Sequence, residues 1–428
     1  MVHIKWEVTN LCNLNCEYCS NALSNSRYEE LKEKEIGKNW NTVFEYFDNN
    51  ISQLDLLGGE PLLYPAIIEV VKEASSRNIY TTVVTNGQCD ITIGEKLLDA
   101  GLSKITISLE GLSDTHDSIR GTGTWKKAYN FLNELFTYNQ QNSLSTELGI
   151  NVVLTKKNAA EIPALIELLK PLDITIQITH LVEKGNATVN RSNLSLSTEE
   201  AVSAYDSIAQ NINCRNNKIV LVNATPVIIE YLNYRYNLSL EYHSDICNAG
   251  STLFSLDAVG NIFGCNLLKK ETDTKYNIFT SSFLQMSKDQ GLQIAFAHRE
   301  FEDGCGQCNY YGICNPCPYQ KSKAKNPLCT AFESKFVEAL NNSQKKYYHD
   351  EQTIPCGTNN TYEKVWYPKQ EEFVEYEATG AAILKLLESE HKADEMASIT
   401  HFDKTAIEYF LSSEKRANHI KERDISVE

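Results

Sequence analysis

The sequence predicts an α/β protein built on a parallel sheet. Three observations carry that expectation. Six apolar, β-rich runs alternate with helical runs up to residue 181; three cysteines directly follow the first run; and the alternation gives way to a second cysteine block near residue 247. Strand-like runs separated by amphipathic helices read as βα units, whose crossovers lay parallel strands side by side. By themselves such units fit a doubly wound sheet as well as a barrel.

The strand-like runs are Ile4–Asn10, Gln53–Gly58, Tyr80–Asn86, Lys104–Glu110, Leu148–Thr155 and Ile174–Leu181. Each is rich in Val, Ile, Thr or aromatic residues, which suit a pleated surface. Helical runs fall between them, at about Tyr28–Phe47, Pro65–Ser76, Ile93–Ala100, Trp125–Tyr138 and Ala160–Leu169. In the first helical run Trp40, Val43, Phe44 and Phe47 recur at helical spacing. The polar stretch Asn186–Ser197 reads as a boundary loop and Thr198–Asn211 as a helix, after which no further sheet pattern is expected. Beyond Cys329 the chain reads as helical and charged. Ile383, Leu384, Leu386 and Leu387, then Met396, Ile399, Ile407, Phe410 and Leu411, keep helical spacing after the strand-like run Phe373–Gly380.

At 428 residues the chain has room for two or three domains. A net charge of −16 argues against a nucleic-acid partner, which asks for a basic face. The acidic residues are spread along the chain, as on a solvated surface. No signal-peptide pattern is visible and no apolar run approaches the roughly 20 residues that span a bilayer, so no membrane partner and a cytoplasmic enzyme are expected. Thirteen cysteines in such a protein point to metal or redox chemistry, and an odd count fits a disulfide framework poorly.

Cys12, Cys16 and Cys19 are spaced C-x3-C-x2-C on one loop. Three thiolates can hold three irons of a [4Fe-4S] cluster and leave the fourth iron to a hard N/O chelate. A structural zinc site, or unrelated thiols, would also satisfy the bare triplet. Gly58-Gly59-Glu60-Pro61 closes the second strand-like run. Two glycines admit a close backbone approach, and a carboxylate beside them can accept from an ammonium; the same residues also mark any sharp turn. Cys89 reads as a buried thiol outside the ligand set.

The order of these motifs resembles the radical S-adenosylmethionine (SAM) superfamily, in which the SAM amino and carboxylate groups occupy the open iron. The resemblance implies a partial (β/α)6 TIM barrel. It assigns Cys12, Cys16 and Cys19 to the first cluster and Gly58, Gly59 and Glu60 to the SAM ammonium. Thr85 and Asn86, at the end of strand three, would face the cofactor. The stretch Ser108-Leu109-Glu110-Gly111, His116-Asp117 and Arg120-Gly121 is similar to one in peptide-modifying members. Ser108 and Glu110 would then lie near the ribose and Arg120 near the SAM carboxylate, a surface ion pair being the plainer role for Arg120. Glu110 stands where Asp is commoner. Val153 would flank the adenine. Sites in barrels are built at the carboxyl ends of strands, which makes Gln177, His180 and Glu183 the catalytic candidates on the substrate side.

The second block resembles a SPASM domain carrying two auxiliary [4Fe-4S] clusters. Cys247, Cys265 and Cys317 would hold one, and Cys305, Cys308, Cys314 and Cys329 the other. The interval from Cys314 to Cys317 is one residue shorter than the family pattern. The first auxiliary cluster lacks a fourth ligand from the pattern, leaving Asp245, Cys214, Cys356 or substrate to fill it. A paired-cysteine zinc ribbon is the simpler reading of the same block.

The expected organisation is a barrel over 1–190, a helical linker over 191–240, a SPASM domain over 241–335 and a helical tail over 336–428. The tail faintly resembles part of a winged-helix peptide-recognition element. No such element is seen before Cys12, so leader binding would fall to this tail, a separate protein or the barrel. The resemblance implies a maturase of a ribosomally made precursor peptide, using three [4Fe-4S] clusters, SAM and an electron donor such as flavodoxin or ferredoxin. An oxidative thioether or carbon–carbon crosslink is the expected product. Formylglycine formation in a sulfatase, peptide epimerisation and a non-catalytic zinc peptide-binding protein are the alternatives.

Overall fold

A computed structural model describes residues 1–21, 36–47, 50–212, 218–241, 248–267, 276–289 and 326–341, together with five C-terminal strands between 345 and 424. The chain divides into two compact units. One comprises Met1–Ile229 with Ser239–Leu328, and the other Glu230–Leu238 with Cys329–Glu428.

The first unit is built on one large sheet. Strands β1 (Val2–Thr9), β2 (Ile51–Gly58), β3 (Tyr80–Thr85), β4 (Lys104–Ser108), β5 (Glu147–Leu154) and β6 (Thr175–His180) lie side by side in chain order. All five pairings are parallel. Helices α1 (Asn41–Tyr46), α2 (Ile67–Ser76), α3 (Ile91–Asp99), α4 (Ser113–Arg120), α5 (Thr124–Gln141) and α6 (Ile162–Leu169) are the crossovers. This mostly parallel α/β sheet is the expected fold class, and each expected strand lies within a residue or two of its place.

Parallel pairing in register keeps one strand face continuous across the sheet. One face carries Ile4, Trp6, Val8, Leu54, Leu56, Val83, Ile105, Ile107, Ile150, Val152, Ile176 and Ile178, all buried. Each such side chain contributes about 1.5–3 kcal/mol on leaving water. The other face is polar. Lys5 pairs with Asp55, Asp55 with Thr82, Thr82 with Lys104, and Asn151 with Gln177. Asp55 accepts from His3 Nε2 at 2.7 Å, Thr82 Oγ1 at 2.8 Å and Gln53 Nε2 at 3.0 Å. βαβ crossovers put helices against a sheet's apolar side chains, and the polar face is set apart from them by the strand period.

Three sequence expectations need correction. The sheet does resume after residue 211: β7 (Lys218–Val222) adds in parallel to β6, and β8 (Leu253–Leu256) adds in parallel to the far side of β1. β9 (Asn261–Phe263) and β10 (Tyr276–Asn277) continue antiparallel, which gives this sheet ten strands among the described residues. β7 and β8 are four or five residues long and isolated in sequence, too short to show a period. Next, Asn186–Ser197 is not simply a loop. It holds two single turns of helix, α7 (Asn186–Val189) and α8 (Arg191–Leu194), before a capping box at Ser197 and Glu200 opens α9 (Thr198–Gln210).

The tail is the third correction. After α10 (Pro226–Tyr236), α11 (Phe283–Ser287) and α12 (Pro327–Asn341) come five strands, where a helical region with a single strand, at Phe373–Gly380, was expected. β12 (Ile354–Thr358), β13 (Tyr362–Tyr367) and β14 (Glu372–Glu377) form an antiparallel sheet, and β11 (Lys345–His349) pairs with β15 (Ile420–Asp424). Runs such as Tyr362-Glu363-Lys364-Val365-Trp366-Tyr367 join β-formers to charged residues, so a reading by charge takes them for helix. The expected helices at Ala381–Leu387 and 396–411 lie outside the described residues, as does Tyr28–Phe47 up to residue 35.

Candidate cofactor site at the carboxyl ends of the strands

The loop of Cys12, Cys16 and Cys19 leaves the end of β1 and is fastened on both sides. Gly59 N donates to Thr9 O at 2.8 Å and Glu60 N to Leu11 O at 2.7 Å. A Cβ on Gly58 would stand 2.4 Å from Thr9 O, and one on Gly59 2.1 Å from Leu11 O. The two glycines therefore admit the backbone of the cysteine loop itself. From the other side, Glu17 N donates to Ile119 O at 3.0 Å and Lys157 Nζ reaches Glu17 Oε2 at 2.6 Å.

The three thiols are electrostatically close. Burial pushes the Cys16 thiol up to about 11; Arg120 pulls it back, and Cys19, Cys12 and Glu110 push it further up. Burial likewise raises the Cys12 thiol. Thiols crowded in this way give up their protons when positive charge arrives, as on metal binding. Among the described residues no three Cys, His, Asp or Glu side chains converge on a point where one ion could sit. A [4Fe-4S] cluster asks instead for one thiolate per iron, and three thiols spread on one loop fit that donor set.

Glu60 is buried, and both of its carboxylate oxygens hold protein donors. Oε1 accepts from Thr85 Oγ1 at 2.6 Å and Leu62 N at 3.1 Å, and Oε2 from Asn86 N at 2.8 Å. Burial still outweighs these donors and raises its carboxyl above the ordinary 4.5. Glu60 thus ties the end of β2 to the end of β3. Asn86 carries the link on to the cysteine loop, its Nδ2 donating to Asn13 Oδ1 at 2.8 Å. Thr85, Asn86 and Ser108 are all buried beside it or on the neighbouring strand end. Cys89 is half-buried, its thiol pushed up to about 12 by burial.

Glu110 is the second hub, and it is fully buried. Its Oε1 takes Arg120 Nε at 2.9 Å, Arg120 Nη2 at 2.8 Å and the Tyr18 hydroxyl at 2.5 Å. Its Oε2 takes Val153 N at 2.8 Å. Arg120 Nη2 also meets the Tyr18 hydroxyl, and its guanidinium lies 5.3 Å from the Tyr18 ring centroid. The Arg120 pair is therefore deeply buried, with no place at the surface. His116 Nδ1 accepts from Glu110 N at 3.1 Å, and burial drives its imidazole down to about 3, so it is neutral. One short region thus unites Tyr18 of the cysteine loop, Glu110 after β4, Arg120 of α4 and Val153 of β5.

The three candidates on β6 separate. The strand's alternation puts Gln177 on the polar face beside Asn151, whereas His180 pairs with Leu154 and shares parity with Ile176 and Ile178. His180 Nδ1 is buried without a hydrogen-bond partner, and burial lowers its basicity. Glu183 is held by Arg191 Nε at 2.9 Å and Ser195 Oγ at 2.7 Å, at an exposed position. Of the auxiliary ligands, Cys265 and Cys329 fall among the described residues, in different units; Cys247, Cys305, Cys308, Cys314 and Cys317 lie outside them, as do Cys214 and Asp245. Cys356 lies on β12.

Sequence reasoning passed over Tyr18 and the residues that hold the loop from β6. Asn186 N donates to Cys19 O at 2.9 Å, Asn186 Nδ2 to Cys16 O at 2.9 Å and Asn190 Nδ2 to Glu17 O at 2.9 Å. The signal available was slight. Gly-Asn marks a turn in any sequence, and nothing local says what the amides reach.

Residues 6–169 match the radical SAM superfamily model. The chain is 24% identical over 314 residues to the mycofactocin maturase MftC of Mycobacterium tuberculosis, covering 73% of this chain and 76% of that protein. It is 29% identical over 208 residues to the PqqA peptide cyclase of Rhizobium meliloti, covering 48% and 53%. Among solved structures, Streptococcus suis SuiB bound to S-adenosylmethionine superposes with a TM-score of 0.57 at 19% identity, over 77% of each chain. anSMEcpe with bound AdoMet gives 0.55 at 17% identity, over 79% of this chain and 96% of that one. Residues 6–169 of this chain are a radical SAM domain.

Proposed function

We propose that the chain is a radical SAM maturase of a ribosomally made precursor peptide and that its product is an oxidative crosslink, thioether or carbon–carbon. One observation carries the reading: three thiols, Cys16 buried and Cys12 and Cys19 half-buried, sit on a loop tied to β2, β3 and β6, beside a buried Arg120–Glu110–Tyr18 group at the ends of the parallel strands. Cys12, Cys16 and Cys19 would hold a [4Fe-4S] cluster, which would supply the electron for reductive SAM cleavage and so the radical chemistry at carbon.

The chain's own residues bind, orient and exclude water. Backbone at Gly58–Glu60 and the polar ends of β3 and β4, with Thr85, Asn86 and Ser108, line the cofactor's side. Arg120 offers the planar fork that suits a carboxylate, and Glu110 Oε1 meets its Nε and Nη2. Val153 presents a side chain to the adenine. Gln177 faces the peptide from the polar side of β6, whereas His180, on the opposite face, lies outside that contact.

The mycofactocin maturase and the PqqA peptide cyclase bear names of peptide maturation, and SuiB has been solved bound to its precursor peptide SuiA. These relatives support the peptide as substrate. The antiparallel sheet β12-β13-β14 is the proposed docking element for its leader, since an extended peptide adds readily to a sheet edge. Two auxiliary clusters, on Cys247, Cys265 and Cys317 and on Cys305, Cys308, Cys314 and Cys329, would take up the electron released by oxidation. The reducing cytoplasm, with a flavodoxin or ferredoxin as donor, suits this chemistry. Among the described residues no helix is long and apolar enough to cross a membrane.

The test uses anaerobically reconstituted protein with SAM, a strong reductant and peptides from short neighbouring reading frames. The expected result is roughly 12 irons per chain on three four-iron clusters, 5′-deoxyadenosine that disappears in the Cys12→Ala/Cys16→Ala/Cys19→Ala variant, and a peptide lighter by two hydrogens. Unchanged peptide mass with inverted stereochemistry would replace crosslinking by epimerisation. Loss of sulfur would indicate formylglycine. Zinc in place of iron would end the enzyme reading.

A further inference from the structure

Lys184 is a buried lysine outside the site just described. It sits after β6, next to Gly185, and is 7% exposed. Burying an ammonium is unfavourable unless its donors are satisfied. Lys184 Nζ donates to Asn266 O at 3.1 Å and to Leu267 O. Those carbonyls belong to the turn immediately after Cys265.

The same peptide unit has a second partner. Leu267 N donates to Cys265 Sγ at 3.4 Å, and the amide formed by Asn266 C=O and Leu267 N–H joins the two contacts. An ammonium on the carbonyl polarises the amide and strengthens its N–H as a donor, the cooperative effect of chained hydrogen bonds. The lysine therefore fixes how the Cys265 turn is oriented and what its sulfur meets.

The next two residues hold the other cysteine loop. A Cβ on Gly185, at φ +60°, would stand 2.5 Å from Cys19 O and 2.8 Å from Ser20 O. The glycine is what allows the chain to pass this close. Asn186 then binds Cys19 O and Cys16 O through its backbone and side-chain N–H groups, at 2.9 Å each. Three consecutive residues thus grip two cysteine loops that are some 245 positions apart in the chain.

We propose that Lys184-Gly185-Asn186 is a positioning bridge that sets the Cys265 turn against the Cys12–Cys19 loop, with Lys184 as the residue that carries the coupling. Its consequence for catalysis rests on the maturase reading; the coupling itself does not. Lys184→Met keeps most of the aliphatic stem and removes the donors, Lys184→Arg keeps a cation, and Asn186→Ala cuts the link on one side only.

Hydrogen exchange on the reconstituted full-length protein tests it. In Lys184→Met, amide exchange in peptides covering 261–267 and 12–20 should both quicken, by about tenfold for loss of one charge-assisted hydrogen bond. Exchange in β4 should stay as in the wild type, and Lys184→Arg should restore both loops. Asn186→Ala should quicken 12–20 alone. A Lys184→Met protein that changes at 261–267 and not at 12–20 would overturn the bridge, as would one that changes at neither. Where the peptide reaction runs, product formed per 5′-deoxyadenosine should fall severalfold in Lys184→Met and recover in Lys184→Arg. Failure of the peptide reaction in the wild type would count against the maturase reading and leave the exchange result standing.

Discussion

Glu60 and Glu110 are two buried glutamates at the ends of strands in one sheet, and they are satisfied in opposite ways. Glu60 holds neutral donors only: a threonine hydroxyl and two backbone N–H groups. Glu110 holds a guanidinium, a phenol and one N–H group. The neutral donors fasten adjacent strand ends and belong to the fold. The guanidinium and phenol are side chains from a helix and from the cysteine loop, so Glu110 gathers elements that are not neighbours in the sheet. A carboxylate at a strand end can thus fasten two strands or join a helix to a loop, and its partners decide which.

The largest effect should come from taking the cation away from Glu110. Arg120→Met leaves a buried carboxylate uncompensated, at about 3–5 kcal/mol. Denaturant unfolding measures it, and adding Glu110→Gln should recover part of the loss. Full stability in Arg120→Met would show that Glu110 is no charged hub. Tyr18→Phe should cost only about 1 kcal/mol, because Arg120 and Val153 N remain on the carboxylate.

Glu60→Gln should change stability at neutral pH by no more than about 1 kcal/mol. The amide removes a buried charge and turns an N–H group against one of three donors, and the two effects oppose each other. Its signature lies in the pH dependence. The folded state raises the Glu60 carboxyl above 4.5, so its contribution is fully present below that value and is lost as pH rises through the folded pKa. The stability of wild type minus that of Glu60→Gln should therefore fall with rising pH across that window. A difference that grew instead would mean that the donors outweigh burial.

His116 gives the opposite sign. Its imidazole is held down to about 3 from the ordinary 6.5. The contribution is present above 6.5 and is lost as pH falls toward 3, because the unfolded chain takes the proton first. His116→Asn offers an oxygen where Nδ1 accepts from Glu110 N, and its stability should decline less than that of the wild type over this range.

How legible was all this in the sequence? β1–β6 stood out because a strand buried on one face must spend its apolar residues at alternate positions, as Ile4, Trp6 and Val8 do. The cysteine triplet and Gly58–Glu60 were legible because close chemistry demands particular residue types at fixed spacing. β7 and β8 were not, since four or five residues carry too little pattern. Of the tail strands only the one at Phe373–Gly380 was legible; in the others charged residues hid the β-formers between them. Gln177 and His180 looked like neighbours at one strand end, yet the period of two sends them to opposite faces.

The sequence by itself determined the α/β alternation, the cysteine loop after the first strand and the glycines that let another chain segment come close. Those features are local, written in residue type and period. Only the tertiary structure decided what came close: the cysteine loop's own backbone at Gly59, Arg120 on Glu110, and Lys184 and Asn186 on two different cysteine loops. Such contacts join residues tens to hundreds of positions apart, and the order of strands in the sheet, which sets them, is a property of the folded chain.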